Sequence, residues 1–264
     1  MERQKTDVVL FDVHDHVALI TLNRPNKRNA INGEMSAGIE RAVDELENRK
    51  DLRAAILTGQ GSVFCSGADL AAVSGVHGTD RTTNIITKKG GFAGFVRRDR
   101  RKPIIAALQG DAIAGGLEIA IACDLIVAAD DIRFALPEAS RSLVATAGAL
   151  NRLPRLIGLN RTQQMILTAD PISAQTAYDW GLVNFLVSKN EMMDLAMNLA
   201  IKIASHAPLA VQSNRSLAAK AFDMELNDHF RASFKESDMV YRSKDTGEGL
   251  KAFLEKREPV WRGE

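Results

Sequence analysis

The sequence predicts an α/β fold, a core of short strands alternating with helices, followed by an α-helical C-terminal region. Three observations predict it. Short apolar runs bounded by turn residues recur through the first two-thirds of the chain. Between them lie segments whose apolar residues return every three or four positions. From Asn190 onward only the second pattern is left, and the strands thin out between Asp170 and Lys189. The expected organisation is a core over residues 1–189 and a helical region over 190–264.

Val8–Asp12 and His16–Leu22 read as two strands joined by a turn at Val13-His14-Asp15. Asn23-Arg24-Pro25-Asn26 breaks the pattern, because proline and its predecessor both resist helix. From Glu34 to Arg49, Met35, Ile39, Ala42, Val43 and Leu46 share one helical face, with Asn32 available as N-cap. Ala54–Leu57 is a short buried strand closed by Thr58-Gly59-Gln60-Gly61. After FCSGADL comes a glycine-containing loop around residues 74–91, then the strand Ile104–Leu108. Gly110 turns the chain into AIAGGLEIA, a loop feeding a helix from about Gly115. Leu125–Ala129 is another strand, and Phe134–Glu138 is extended into a break. Beyond Gly148 the pattern is helical apart from a strand at Val183–Val187.

Composition narrows the function classes. A chain of 264 residues with 45% hydrophobic side chains can bury a large core in one domain, or one domain plus a helical appendage. Its net charge of +1 points neither to nucleic acid nor to an anionic membrane. No window approaches the ~18 continuous apolar residues of a membrane span, and the N-terminal stretch lacks the apolar centre of a secretory signal. Two cysteines, Cys65 and Cys123, make no disulfide framework, so a cytoplasmic setting is expected. Both read as small buried hydrophobes.

Several motifs fail on inspection. GQGSVF at Gly59–Phe64 lacks the third glycine of a dinucleotide fingerprint, and neither a GxxxxGK[ST] nor a GxSxG segment occurs. Asp12, His14, Asp15 and His16 have the spacing of a solvated hairpin turn, and no metal site is expected. The run Arg97-Arg98-Asp99-Arg100-Arg101-Lys102 reads as a solvated helix face or an anion-facing rim.

What remains are two glycine turns and two acids. Ser66-Gly67-Ala68-Asp69 and Gly115-Gly116 each open a helix, where unpaired amides and a partial positive charge gather. Facing one another, they would supply two N–H groups to a developing oxyanion. Glu118 follows the second turn, and Glu138 follows a proline in FALPEA. Two readings of these acids stand at this point. They divide general base and general acid work, or they merely start two helices.

The residues then resemble a known family. NRPNKRNAIN (Asn23–Asn32), FCSGADL (Phe64–Leu70), AGGLEIAIACDLIVAA (Ala114–Ala129), FALPE (Phe134–Glu138), Trp180-Gly181-Leu182-Val183 and EGLKAFLEKREPVW (Glu248–Trp261) resemble, in order and spacing, the crotonase superfamily and its enoyl-CoA hydratases. KGGFAGF at Lys89–Phe95 and the PVW ending also resemble carnitinyl-CoA dehydratase-like members.

The resemblance implies a crotonase-like ββα spiral core with a C-terminal trimerisation region, forming a homotrimer or a dimer of trimers. It implies an acyl-CoA thioester substrate, coenzyme A being part of that substrate and no prosthetic group being needed. Ala68 and Gly115 match the two amides that hold the thioester oxygen. Glu118 matches the residue that activates water, and Glu138 the one that exchanges a proton at the α-carbon. Ser66, Ala68 and Leu70 match backbone positions along CoA, Lys27 lies in the CoA-binding stretch, and Phe253 and Lys256 match residues that reach CoA from a neighbouring subunit. One segment departs: where many hydratases carry PGxGG, this chain has Ala145-Thr146-Ala147-Gly148-Ala149.

Overall fold

The computed structural model describes residues 7–70 and 85–264. In chain order its strands are β1 (Val9–His14), β2 (Val17–Leu22), β3 (Ala54–Gly59), β4 (Val63–Cys65), β5 (Ile86–Thr87), β6 (Gly91–Phe92), β7 (Ile104–Leu108), β8 (Asp111–Ile113), β9 (Leu125–Ala129), β10 (Arg133–Ala135), β11 (Ile172–Ser173) and β12 (Phe185–Val187). The α-helices are α1 (Gly33–Asn48), α2 (Gly115–Ala120), α3 (Ala149–Leu156), α4 (Leu159–Thr168), α5 (Ala174–Asp179), α6 (Lys189–Ala204), α7 (Pro208–Ala219), α8 (Leu226–Tyr241) and α9 (Lys244–Glu255).

The larger sheet has the order β1-β2-β3-β7-β9-β12, parallel throughout except for the β1–β2 hairpin. Its strands are apolar on both faces because both faces are covered. Ala18, Ile20, Ala55, Leu57, Ile104, Ala106 and Leu108 join the main core with α1. Their sequence neighbours Val17, Ala54, Ile56, Ile105, Ala107 and Val127 turn the other way, onto α6. That helix meets the sheet through Ala196, Ala200 and Ala204, four residues apart and buried, so its backbone lies close to the strands. Helix α1 starts where the sequence expects: Asn32 is extended (φ −113°) and its side chain accepts from the Met35 amide at 2.9 Å.

A second sheet, β11-β10-β8-β4, is built from strands of two or three residues. There β4, β8 and β10 run parallel and β11 antiparallel. The sequence reading missed most of it, since runs so short show no period. Other expectations shift slightly. The first turn falls at Asp15-His16, with Asp15 at φ +51°, and the last strand starts at Phe185. Of the expected loop around 74–91, residues 74–84 lie outside the described residues, and the rest holds β5 and β6, an antiparallel pair.

The basic run is a correction. Residues 98–102 are not helical, and the run is only partly solvated: Arg97, Asp99 and Arg101 are exposed, whereas Arg100 and Lys102 are buried. Arg100 is 3% exposed and donates to Asp124 Oδ2 and to the Ala122 and Lys102 carbonyls. Lys102 Nζ donates to the Leu46 and Arg49 carbonyls, capping the end of α1. Arg98 pairs with Asp44. These cations are buried because the carbonyls left open at a helix end, and two acids, accept their hydrogen bonds.

Candidate active site

Three neighbouring parallel strands of the small sheet deliver the candidate residues at their carboxyl ends. Strand β4 runs into Ser66-Gly67-Ala68, β8 into Ala114-Gly115 and α2, and β10 into Leu136-Pro137-Glu138. Parallel strands side by side end on one edge, so residues far apart in sequence meet there.

The first turn is braced by the NRPNKRNAIN segment. Ser66 donates its amide to the Arg28 carbonyl, the Ile31 amide donates to Gly67 and the Asp69 amide donates to Ile31. Arg24 pairs with Asp69 at 3.1 Å. In this parallel bridge Ala68 is the residue between the bonded positions, so its own amide has no acceptor among the described residues. Gly115 opens α2, and its amide likewise has none.

The two turns touch. Gly67 has φ +87°, and a Cβ built on it would stand 2.9 Å from the Gly115 nitrogen. Only glycine combines that conformation with that approach. Ala114, which precedes Gly115, is held at φ +53°, ψ −127° by its amide donating to Ala135 and its carbonyl accepting from Glu118. Such strain in a side-chain-bearing residue persists only where surrounding bonds over-determine it.

Glu118 is 3% exposed, and its Oε1 accepts from the Ala149 amide at 3.0 Å. Burial pushes its carboxyl up to about 7, with the nearby Glu138 adding to the rise and the Ala149 amide opposing it. Glu138 is half-buried and also raised by burial, while Arg141 pulls the other way. Its Oε2 is buried without a partner among the described residues. Both acids, Ser66, Ala68, Leu70 and Gly115 line one cavity of about 640 Å³.

Three expected residues do not line it. Lys27 is exposed at the end of a one-turn 3-10 helix, and its neighbour Arg28, at φ +49°, lines the cavity instead. Phe253 and Lys256 stand exposed at the end of α9. Leu143 lines the cavity as well, as do Phe92 of KGGFAGF and Thr146 of the departing segment, none of which the sequence reading named as a site residue. Their only signal lay in proximity to glycine turns. Arg97 of the basic run lines it too. Among the described residues no three His, Cys, Asp or Glu side chains cluster as a metal site requires, and no helix is long and apolar enough to cross a membrane.

The enoyl-CoA hydratase/isomerase family matches residues 12–264. A carnitinyl-CoA dehydratase of Salmonella enteritidis PT4 is 39% identical over 250 residues, covering 92% of this chain and 94% of the relative. The crystal structure of an enoyl-CoA hydratase from Mycobacterium tuberculosis H37Rv superposes with a TM-score of 0.92 at 39% identity, over 98% of this chain and 100% of that one. One from Bacillus anthracis gives 0.90 at 32% identity, over 97% and 100%. The shared architecture is the mixed α/β crotonase fold with its C-terminal helices, and the shared chemistry is hydratase or isomerase chemistry on CoA thioesters. The chain belongs to the enoyl-CoA hydratase/isomerase family of the crotonase superfamily.

Proposed function

We propose that the chain is an enoyl-CoA hydratase, adding water reversibly across the 2,3 double bond of a 2-enoyl-CoA thioester. One observation carries the reading: two amides without acceptors among the described residues and two carboxyls, one buried and one half-buried, line a single cavity. Attack of water at C3 drives the double-bond electrons toward the thioester oxygen. The Ala68 and Gly115 amides form the oxyanion hole that receives this charge, and fixed donors of this kind need no reorganisation as the charge develops. Glu118 takes the proton from water as the oxygen bonds to C3, and Glu138 delivers a proton to C2. A base raised to about 7 is suited to work near neutral pH.

Coenzyme A enters as part of the substrate. Ser66, Ala68 and Leu70 follow it along the first turn, and Lys27 serves it from the preceding segment. Phe253 and Lys256 reach it from a neighbouring subunit of a homotrimer or a dimer of trimers, assembled through the region 190–264. The relatives named carnitinyl-CoA dehydratase favour a second reading with the same groups, in which the reaction runs as dehydration of a 3-hydroxyacyl thioester.

The test is turnover of a panel of 2-enoyl-CoA and 3-hydroxyacyl-CoA thioesters by wild type, E118Q and E138Q. Each substitution is expected to lower kcat on the order of 10²–10⁴-fold, while a saturated acyl-CoA still binds. Wild type inactive on every thioester, or variants as active as wild type, overturns the reading. Isomerised product from a 3-enoyl-CoA, with no water added, would assign the chain to the isomerases instead.

A further inference from the structure

The segment that departs from the hydratase pattern keeps one glycine, Gly148, at φ +116°. A Cβ built there would stand 2.1 Å from Nη1 of Arg152, so the guanidinium fills the space that a side chain at 148 would need. Arg152 lies in the first turn of α3, its amide donating to the Gly148 carbonyl at 3.0 Å. Its Nη2 donates to the Val96 carbonyl at 2.6 Å, and Val96 lines the cavity. The same turn of α3 supplies the Ala149 amide that holds Glu118 Oε1. Among the described residues no carboxylate pairs with Arg152 at ion-pair distance, although its side chain is largely buried.

We propose that Arg152, admitted by the bare Cα of Gly148, is a positioning residue for Glu118: it fastens the first turn of α3 to the cavity wall at Val96 and keeps a positive charge near the carboxylate. The proposal rests on the reading of Glu118 as general base. A buried guanidinium without a paired anion is costly, and the ionised form of Glu118 is what relieves that cost. The groups acting on Glu118 are Glu138, Arg152 and the Ala147 and Ala149 amides. Those acting on Arg152 are Arg100, Arg155, Glu118 and the Cys123 thiol. Asp124 is held by Arg100 and Arg215, and Glu118 is the one carboxylate among the groups acting on Arg152.

The test follows the Glu118 carboxyl directly. Protein labelled with 13C at the glutamate carboxyl is titrated by NMR, the Glu118 resonance being identified by its loss in E118Q. In R152M the titration midpoint is expected to rise by about one pH unit. In R152K, which keeps the charge, it should return most of the way to wild type. The acidic limb of kcat for 2-enoyl-CoA hydration should move with it, leaving KM nearly unchanged. A midpoint and limb that stay put in R152M overturn the proposal, as does an equal loss of rate at every pH. If R152M does not fold, G148A pushes the guanidinium aside with its charge intact, and an unmoved midpoint there overturns the proposal too. Wild type without hydratase activity, but with a midpoint that responds to Arg152, condemns the hydratase reading alone and supports the coupling.

Discussion

In the proposed reaction Glu118 serves reactivity at the expense of stability. Unfolded, its carboxyl titrates near the ordinary 4.5, and in the fold burial lifts it to about 7. Between those values the folded chain holds a proton that the unfolded chain has released, so stability is greatest below pH 4.5 and falls as pH rises through 7. The loss from this one group reaches about 3 kcal/mol above that window. Glutamine keeps an oxygen to accept the Ala149 amide and cannot ionise. E118Q is therefore expected to gain on wild type by up to about 3 kcal/mol between pH 4.5 and pH 8, a gain that urea unfolding at both pH values measures directly. A difference between the two proteins that does not change with pH would show that the carboxyl ionises as freely in the fold as in the unfolded chain. Such a trade of stability for a primed side chain is what active sites are expected to show.

Elements set by burial were legible in the sequence, and elements set by tertiary pairing were not. Strands β7 and β9 match their sequence-read ranges because an apolar run flanked by turn residues has few other uses. Helix α1 was legible from its stripe and from Asn32. Strands β8 and β10, three residues each, exist as strands because they pair with each other and with β4 and β11, a fact that no local pattern carries. The site shows the same division. Gly67, Gly115 and the two acids stood out because glycine and buried carboxyls are locally costly, whereas Arg152 reaches Val96 across 56 residues of chain and looked like any helical arginine. The basic run misled for a related reason, since the carbonyls that absorb Lys102 belong to the end of a distant helix. Packing gives the element-scale prediction. Ala200 is fully buried where α6 crosses the large sheet, and close-packed interiors leave little room for a larger side chain. Ala200→Leu is expected to cost about 1–3 kcal/mol, lowering Tm by several degrees in a thermal melt, while Lys202→Ala on the exposed side stays within about 0.5 kcal/mol. A melt of the Ala200→Leu variant that coincides with wild type would mean that α6 stands off the sheet.

At the scale of the whole molecule, the C-terminal helices leave large apolar side chains exposed. Helix α8 has no buried residue along its 16 positions, and Phe230 and Phe234 on it, with Phe253 and Leu254 on α9, are more than half exposed. Aromatic side chains left in water at this density mark a surface that another surface covers. If that partner is a second copy, the ends of α9 become available to a neighbour's cavity, and the position of Phe253 and Lys256 away from their own cavity gains a reason. Light scattering should then give a mass of three or six chains of 28.8 kDa. F253A and K256A should raise KM for the CoA thioester about fivefold, near 1 kcal/mol of binding, and leave kcat unchanged, since neither side chain touches the reacting carbons. A monomeric mass, or a fall in kcat at constant KM, would separate the two residues from the neighbour's substrate. In the proposed reaction, binding energy gathered so far from the thioester still serves catalysis, because it fixes where the carbonyl oxygen meets the two amides.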